Sequence, residues 1–433
     1  MDLIIIGSPK ELIEMNKVYL CIDLKTFFAS CECSEKGLDP FKTNLVVADP
    51  ARGQGALCLA ITPKMKAMGI RNRCRLFEIP KNIEYQIATP RMNLYMDYSA
   101  KIYEIYLRYV SSEDIHVYSI DECFIDITPY YHLYNKTPKE FAKMLMNAIY
   151  DETHITATAG IGTNLYLAKV ALDIISKHVS SNIGVLTEKT YQKYLWNYQP
   201  LTDFWHVGPG IAKRLEKHGI FDMKGIAKCP QDILYKEFGI NAEYIIDHAW
   251  GKEPTTIKDI KRYTPKSNSI SNSQVLFEDY NYEDAFLVVK EMVELNVLRL
   301  VEKHLVTNHI SLCIGYSQTV GGGATGGQRK LTVRTNSLSI LMDEFIRLFY
   351  DRTIKNRPIR TISISFGNVL DEYYESYDLF SDIEAIEEER NLQHALIEIK
   401  HKYGKNAVLK GMNKLDKATT IKRNTLVGGH NAI

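Results

Sequence analysis

The sequence predicts an α+β fold divided into several domains. The chain has 433 residues, too many for one hydrophobic core, so about two to four domains are expected. Apolar strand patterns at 18–24 and 117–127 alternate with helical patterns at 90–110 and 138–151. This alternation predicts a sheet with helices on one face. A separate pattern of helices and strands at 266–370 predicts a second α+β domain.

The elements of the first domain follow from local patterns. Residues 18–28 form a strand that enters a turn or helix. Pro138 is a favourable first-turn residue, so a helix is expected over 138–151. The small residues of 155–162 predict a strand, and a helix is expected over 165–177.

Glycine-punctuated helices are expected over residues 189–250. Within them, the turn Val207–Ile211 leads into a helix and exposes backbone N–H groups that could grip a phosphate. A plain turn between helices is the alternative. The polar, basic segment 251–265 is typical of a linker, and the strongly acidic start of 371–433 predicts a tail that is partly disordered or partner-dependent.

Composition excludes several classes of protein. Hydrophobic residues make up 45% and charged residues 24%, which is ordinary for a soluble protein. The eight cysteines form no C-x-x-C pair, so we expect free thiols in the cytoplasm, and no signal peptide or membrane partner is predicted. Net charge is +1, but the basic segment 52–81 suits a polyphosphate substrate.

Two strand patterns carry carboxylates where strands normally exclude charge. Asp121 and Glu122 interrupt the apolar run at 117–127, and Asp23 interrupts the run at 18–24. An unpaired buried carboxylate is costly, and a divalent cation removes that cost. Three hard oxygen ligands on two strands are typical of a Mg²⁺ site for phosphoryl transfer. The alternative is that Asp121 and Glu122 end a strand and face water.

Taken in order, the motifs resemble those of Y-family DNA polymerases, in particular the bacterial UmuC-like branch. They are Asp23 with Phe27-Phe28-Ala29-Ser30, Tyr118–Glu122, Ala159–Gly162 with Lys169 and Lys177, and the Val207–Ile211 turn. The resemblance implies a right-hand polymerase architecture. Its domains would be the palm (1–28 and 83–188), fingers (29–82), thumb with helix-hairpin-helix (189–250), linker (251–265), little finger (266–370) and partner-binding tail (371–433).

The implied activity is template-directed, error-prone translesion DNA synthesis in DNA repair and the SOS response. Asp23, Asp121 and Glu122 would hold two Mg²⁺ ions, with the Leu24 carbonyl as a further ligand. The substrates would be primer-template DNA and a dNTP. The alternatives are a nucleotidyl cyclase and a non-catalytic DNA- or clamp-binding accessory protein.

The resemblance also implies substrate contacts. Phe27 and Phe28 would belong to the nucleotide-binding set. Phe28 would be the steric gate that rejects the ribonucleotide 2′-hydroxyl, and of the two rings we expect Phe27 to lie in the core. Lys66 and Lys177 would contact the triphosphate, and Thr62 would supply a hydroxyl because Pro63 replaces a family tyrosine. The expected DNA-binding residues are Val207, Gly208, Gly210, Lys213, Arg329, Lys330 and Arg334.

Two protein partners are implied. Leu379 and Phe380, in the acidic tail, resemble the apolar anchors of a peptide that binds the sliding clamp. Part of the UmuC-like branch also implies an activating accessory protein.

Overall fold

The computed structural model describes residues 17–265, 268–379 and 381–433. The chain divides into two compact units, Met1–Thr264 with His430–Ile433, and Pro265–Gly429. The predicted α+β class is confirmed, because both units combine sheets with helices.

The first unit alternates strands and helices along its amino-terminal half. Its strands are β1 (Tyr19–Leu24), β2 (Leu45–Val47), β3 (Ala60–Ile61), β4 (Gln86–Ala88), β5 (Ile115–Val117), β6 (Glu122–Asp126), β7 (Ala157–Gly162) and β8 (Ile183–Leu186). The helices among them are α1 (Phe27–Glu35), α2 (Pro63–Ala67), α3 (Met92–Leu107), α4 (Pro138–Thr153) and α5 (Leu165–Val170).

A five-stranded sheet in the order β5-β6-β1-β7-β8 forms the centre of this unit. Strand β1 lies between β6 and β7 and runs antiparallel to both, so Asp23 faces Glu122 on one side and Thr158 on the other. The apolar residues of β1 are buried. The sheet therefore holds the carboxylates of two strands side by side at one end.

Helix α5 packs directly on the backbone of β7. An added Cβ at Gly160 would lie 2.0 Å from the Ala168 carbonyl oxygen, and one at Gly162 would lie 2.2 Å from the Ala168 nitrogen. The helix predicted over 165–177 is not uniform, because a π-helix at Ala171–Ile175 and a 3₁₀ turn at Ser176–His178 follow α5. Side-chain periodicity does not distinguish these neighbouring helix types.

A small sheet in the order β3-β2-β4 organises residues 45–88 around a separate apolar cluster. The hydroxyl of Thr62 is fully buried there: it donates to the Thr43 carbonyl at 2.7 Å and accepts from the Leu45 nitrogen at 3.3 Å. The prediction that Thr62 contacts a nucleotide is therefore wrong, because this hydroxyl is used to join two strands.

Short helices follow the central sheet. They are α6 (Glu188–Leu195), α7 (Pro209–Glu216), α8 (Met223–Lys228), α9 (Gln231–Phe238), α10 (Ala242–Ala249) and α11 (Ile257–Arg262). Helix α11 lies inside the predicted linker 251–265. Because Ile257 is buried with Tyr19 and Phe124 of the central sheet, this part of the segment is packed structure and not a linker.

The second unit contains β9 (Ile270–Tyr280), α12 (Tyr282–Glu302), β10 (Leu305–Tyr316), β11 (Ala324–Thr335), α13 (Leu338–Arg352), β12 (Ile359–Gly367) and β13 (Leu370–Asp371). These strands form a five-stranded sheet in which four follow the order β11-β10-β12-β9 and β13 pairs with β10. Its helices α12 and α13 pack on the sheet around a core of Val, Leu, Ile and Phe.

The prediction of a partly disordered tail is wrong for most of 371–433. Helix α14 (Ile383–Tyr403) packs on α12, and α15 (Thr420–Asn424), β14 (Leu426–Val427) and β15 (His430–Asn431) follow. The buried carboxylate of Glu291 accepts hydrogen bonds from Asn413 Nδ2, Thr419 N and Oγ1, and Thr420 N. Acidic composition suggested solvation, but these contacts, made far apart in sequence, fix the segment. None of the helices in the described ranges combines the length and apolar character that crossing a membrane requires.

Candidate active site

The end of the central sheet opens into a cleft of about 820 Å³. Asp23 comes from the end of β1, and Asp121 and Glu122 come from the turn into β6. Leu24 lies at the same edge, and its N–H donates to the Asp121 carbonyl at 3.1 Å. The structure thus brings together all four residues predicted as metal ligands; the cleft lining also includes Lys25, Phe27, Phe28, Pro63, Lys66, Asn72, Arg73, Ser119 and Lys177.

The turn that carries two of the carboxylates is held by its own hydrogen bonds. The N–H groups of Tyr118 and Ser119 donate to the Glu122 carbonyl at 3.0 and 3.1 Å. Ser119 Oγ donates to Asp121 Oδ1 at 2.7 Å and accepts from the Glu122 nitrogen at 3.1 Å. The turn thus fixes the backbone of both residues locally and orients the Asp121 carboxylate.

Burial and neighbouring charges act on Asp23. Burial raises the pKa of Asp23 to about 7, and the carboxylates of Glu122 and Asp121 add to this shift. The positive charges of Lys177 and Lys169 oppose it. A buried carboxylate whose strongest neighbours include two other carboxylates lies where a cation would be stabilised.

Two lysines balance part of this negative charge. Lys169 Nζ contacts Glu122 Oε1 and lies 3.1 Å from Asp173 Oδ2, and Lys177 Nζ lies 3.1 Å from Asp173 Oδ1. The two lysines therefore share one carboxylate although the helix between them changes type. The contact of Lys169 with Glu122 was not predicted, although Lys169 was named as part of the motif around Ala159–Gly162.

The donor set suits a hard divalent cation, since all its members are carboxylate or carbonyl oxygens. Across the described residues, no three His, Cys, Asp or Glu side chains stand close enough together to hold a metal ion as they are. One oxygen of Glu122 contacts Lys169 in this structure.

Two neighbouring aromatic residues at the start of α1 differ in environment. Phe27 is 3% exposed and belongs to the core of the central sheet, as predicted. Phe28 is half-buried and borders the cleft. Its ring stacks on Tyr95 with the centroids 4.5 Å apart.

Basic side chains line the opposite wall. Burial lowers the pKa of Lys66 while Asp23 opposes this shift, and burial also lowers the pKa of Lys25. Arg73 has a φ of 60° and lines the cleft beside Asn72. Neither Arg73 nor Asn72 was predicted individually, although both fall within the basic segment 52–81.

This chain matches known proteins over almost its whole length. Residues 22–173 match the impB/mucB/samB family, and residues 267–379 match the C-terminal domain of that family. The Bacillus subtilis (strain 168) protein UvrX, named for UV-damage repair, is 31% identical over 419 residues, which cover 96% of this chain and 98% of UvrX. A Y-family DNA polymerase chimera of Dbh and Dpo4 shares the fold, with a TM-score of 0.62 and 19% identity over 82% of this chain and 99% of that one.

The chain belongs to the Y family of DNA polymerases. A second relative, named DNA polymerase IV 2, comes from Halalkalibacterium halodurans. It is 28% identical to this chain over 420 residues, which cover 96% of this chain and 100% of that protein. The predicted right-hand fold and the predicted activity, DNA-directed DNA synthesis of the translesion type, are confirmed. Y-family polymerases are nucleotidyltransferases that use divalent metals, and the cyclase and accessory-protein alternatives are not favoured.

The polymerase exposes most of the predicted DNA-binding turn. Val207 is buried and its N–H donates to the Phe204 carbonyl at 3.0 Å, so this residue anchors the turn. Gly208 and Gly210 are exposed at the start of α7, and Lys213 is exposed in its last turn. An added Cβ at either glycine would meet no atom within 4 Å, which leaves the backbone open to a ligand.

The three basic residues predicted on β11 do not share a face. Arg329 lies on the side covered by α13, where its guanidinium donates to Glu344 Oε2 at 3.2 Å and contacts Asp351. Side chains alternate along a strand, so Lys330 and Arg334 lie on the other side, and Arg334 donates to the Asn368 carbonyl. Arg329 is therefore paired with two acids of one helix, whereas the predicted DNA contacts of Lys330 and Arg334 face the other side of the sheet.

The predicted clamp-binding residues are only partly described. The Leu379 side chain is 99% exposed, whereas Phe380 lies outside the described residues. Arg390 of α14 bonds Glu372 and Glu375, which holds the chain just before Leu379.

Proposed function

We propose that Asp23, Asp121 and Glu122 hold two Mg²⁺ ions, with the Leu24 carbonyl, for template-directed addition of a dNTP to a primer 3′-hydroxyl. The observation that carries this proposal is the register of β1 and β6, which pairs Asp23 directly with Glu122 beside Asp121. Bound Mg²⁺ would acidify the primer hydroxyl and neutralise charge on the triphosphate.

The side chains around this centre supply the remaining needs of the reaction. Lys66 and Lys177 line the cleft and would receive the negative charge of the triphosphate. Lys169 would orient Glu122, since it contacts that carboxylate from the buried side. Phe28 would lie under the sugar of the incoming nucleotide, with Phe27 supporting it from the core.

We assign the five-stranded sheet to the palm, 29–82 to the fingers, 189–250 to the thumb and the second unit to the little finger. DNA would be held by its phosphates, through the backbone at Gly208 and Gly210 and through Lys213, Lys330 and Arg334. Such contacts ignore base sequence and weaken steeply with salt. This suits an enzyme that copies templates with damaged bases during repair.

Primer extension tests the proposal as a whole. We expect the full chain with Mg²⁺ and four dNTPs to extend a primer on an undamaged template and past an abasic position. Chelation by EDTA should stop extension, and added Mg²⁺ should restore it. Extension that continues in EDTA would contradict the metal proposal, whereas arrest at the abasic position alone would contradict only bypass.

Phe28→Val should raise ribonucleotide incorporation relative to deoxyribonucleotide incorporation by about 100-fold, the discrimination that a pocket of fixed size gives for one added hydroxyl. The smaller side chain opens room beside the sugar without altering the carboxylates. The ratio of kcat/KM values for a ribonucleotide and its deoxyribonucleotide measures this effect. An unchanged ratio would remove Phe28 from the steric-gate role.

Leu379→Ala with Phe380→Ala should weaken binding to a bacterial sliding clamp at least tenfold, because apolar anchors carry most of the energy of such a peptide. Surface plasmon resonance with immobilised clamp measures the affinity, and basal extension without clamp should stay at the wild-type rate. Tyr373→Ala, also in an exposed part of the segment, is the matched control. Equal clamp affinities for the double variant, the control and the wild type would contradict the proposal that Leu379 and Phe380 bind a sliding clamp.

A further inference from the structure

The ring of Phe28 rests on a second aromatic ring that lies behind it. Phe28 and Tyr95 stack with their centroids 4.5 Å apart and their planes 18° from parallel. Phe28 borders the cleft, whereas Tyr95 is completely buried. Any movement of Phe28 away from the cleft would therefore have to displace a buried ring.

Tyr95 is itself fixed by the buried carboxylate of Glu32, which forms an ion pair with the partly exposed Arg91. Its hydroxyl donates to Glu32 Oε1 at 2.9 Å. The Glu32 side chain is 2% exposed and accepts two bonds from Arg91, from Nε at 2.9 Å and from Nη2 at 2.8 Å. Paired bonds between a guanidinium and a carboxylate are strong and fix orientation. The position of the Tyr95 ring is thus set from its hydroxyl end.

Helical spacing brings these groups together. Phe28 and Glu32 lie four residues apart on α1, and Arg91 and Tyr95 lie four residues apart at the start of α3, so each pair shares a helix face. One turn further along both helices, Tyr98 donates to Glu35 Oε1 at 2.8 Å. This second pair joins the same two helices but is displaced from Phe28 by about two helical turns.

We propose that Tyr95 is a positioning residue for sugar discrimination, anchored by Glu32 and Arg91, and that it keeps the Phe28 ring from yielding to a 2′-hydroxyl. This inference rests on the steric-gate role proposed for Phe28. A half-buried phenylalanine has other staggered side-chain positions available, and only packing behind it removes them. Rejection of a ribonucleotide therefore depends on the support of the ring as well as on its size.

The test compares sugar discrimination in variants of the full chain. Tyr95→Leu should raise the ribonucleotide-to-deoxyribonucleotide ratio of kcat/KM by about tenfold, the factor that corresponds to the upper cost of holding a side chain away from its preferred rotamer. Tyr95→Phe keeps the ring and should raise the ratio less. Tyr98→Leu removes a tyrosine that joins the same two helices without backing Phe28, so its ratio should equal that of the wild type.

Phe28→Val is measured in the same series so that the two proposals can be separated. If Phe28→Val raises the ratio and Tyr95→Leu does not, the positioning role is overturned and the steric gate stands. Equal increases in Tyr95→Leu and Tyr98→Leu would also overturn it, because general loosening of α1 and α3 would explain both. If Phe28→Val leaves the ratio unchanged, both proposals fall.

A second pair of variants tests the same proposal if Tyr95→Leu does not fold. Should Tyr95→Leu be insoluble, Glu32→Gln weakens the anchor with little change in volume, and Glu35→Gln is its control one turn away. A higher ratio in Glu32→Gln alone supports the positioning role. Identical ratios in the two glutamine variants contradict it.

Discussion

Replacing Asp121 with asparagine and Glu122 with glutamine should lower the rate of primer extension by at least about 10³-fold, because the metal site supplies several kcal/mol of transition-state stabilisation. The amides keep the shape of both side chains but remove their charges. Single-turnover extension at saturating dNTP measures the rate, and a gel-shift assay measures DNA binding separately.

Asp126→Asn is the matched control for this variant. Asp126 lies in the same strand β6 and is also half-buried, but its carboxylate accepts from the Thr128 nitrogen at 3.0 Å and does not line the cleft. We expect this control to extend primers at the wild-type rate. If it loses as much activity as the double variant, damage to the strand and not loss of ligands would explain the result.

The second large effect is expected at Gly160 in β7. A methyl group there would lie 2.0 Å from the Ala168 carbonyl oxygen and 2.3 Å from the Leu172 nitrogen. Both atoms are backbone, so α5 must move off the sheet. We expect Gly160→Ala to destabilise the protein by about 3 kcal/mol, at the upper end for overpacking a core, and to weaken the contact of Lys169 with Glu122.

Urea unfolding followed by circular dichroism measures this destabilisation as a lower midpoint. Gly55→Ala is the control, since an added Cβ at Gly55 meets nothing within 4 Å and the residue is exposed. Its free energy of unfolding should match that of the wild type within about 0.5 kcal/mol. A midpoint for Gly160→Ala equal to that of the control would show that α5 can move without cost.

Sequence patterns predicted the central sheet and its carboxylates because both are local signals. Asp121 and Glu122 were recognisable as charges inside an apolar strand, and the register of β1 with β6 then paired Asp23 with Glu122. Most elements of the second unit were predicted for the same reason, since their apolar periodicity is strong. The roles of residues that depend only on their own strand could therefore be predicted from the sequence.

Sequence patterns did not predict contacts between residues that are distant in sequence. Arg329 is basic and lies on a strand, but it faces α13, where Glu344 and Asp351 pair with it. The hydroxyl of Thr62 donates a hydrogen bond to the carbonyl of Thr43, 19 positions earlier in the chain. Helix α14 was missed because its acidic composition suggested solvation, whereas Ile386 and Gln393 are buried.

The packing of α14 changes how the segment around Leu379 is presented. Strand β13 fixes one end of this segment to β10, and α14 fixes the other end to the same unit. An exposed leucine within a short closed loop has far fewer arrangements than one on a free tail, so a partner that binds it loses less chain entropy. Because both ends are fixed, the segment also cannot extend far from the second unit. A partner that binds Leu379 must therefore approach the second unit itself.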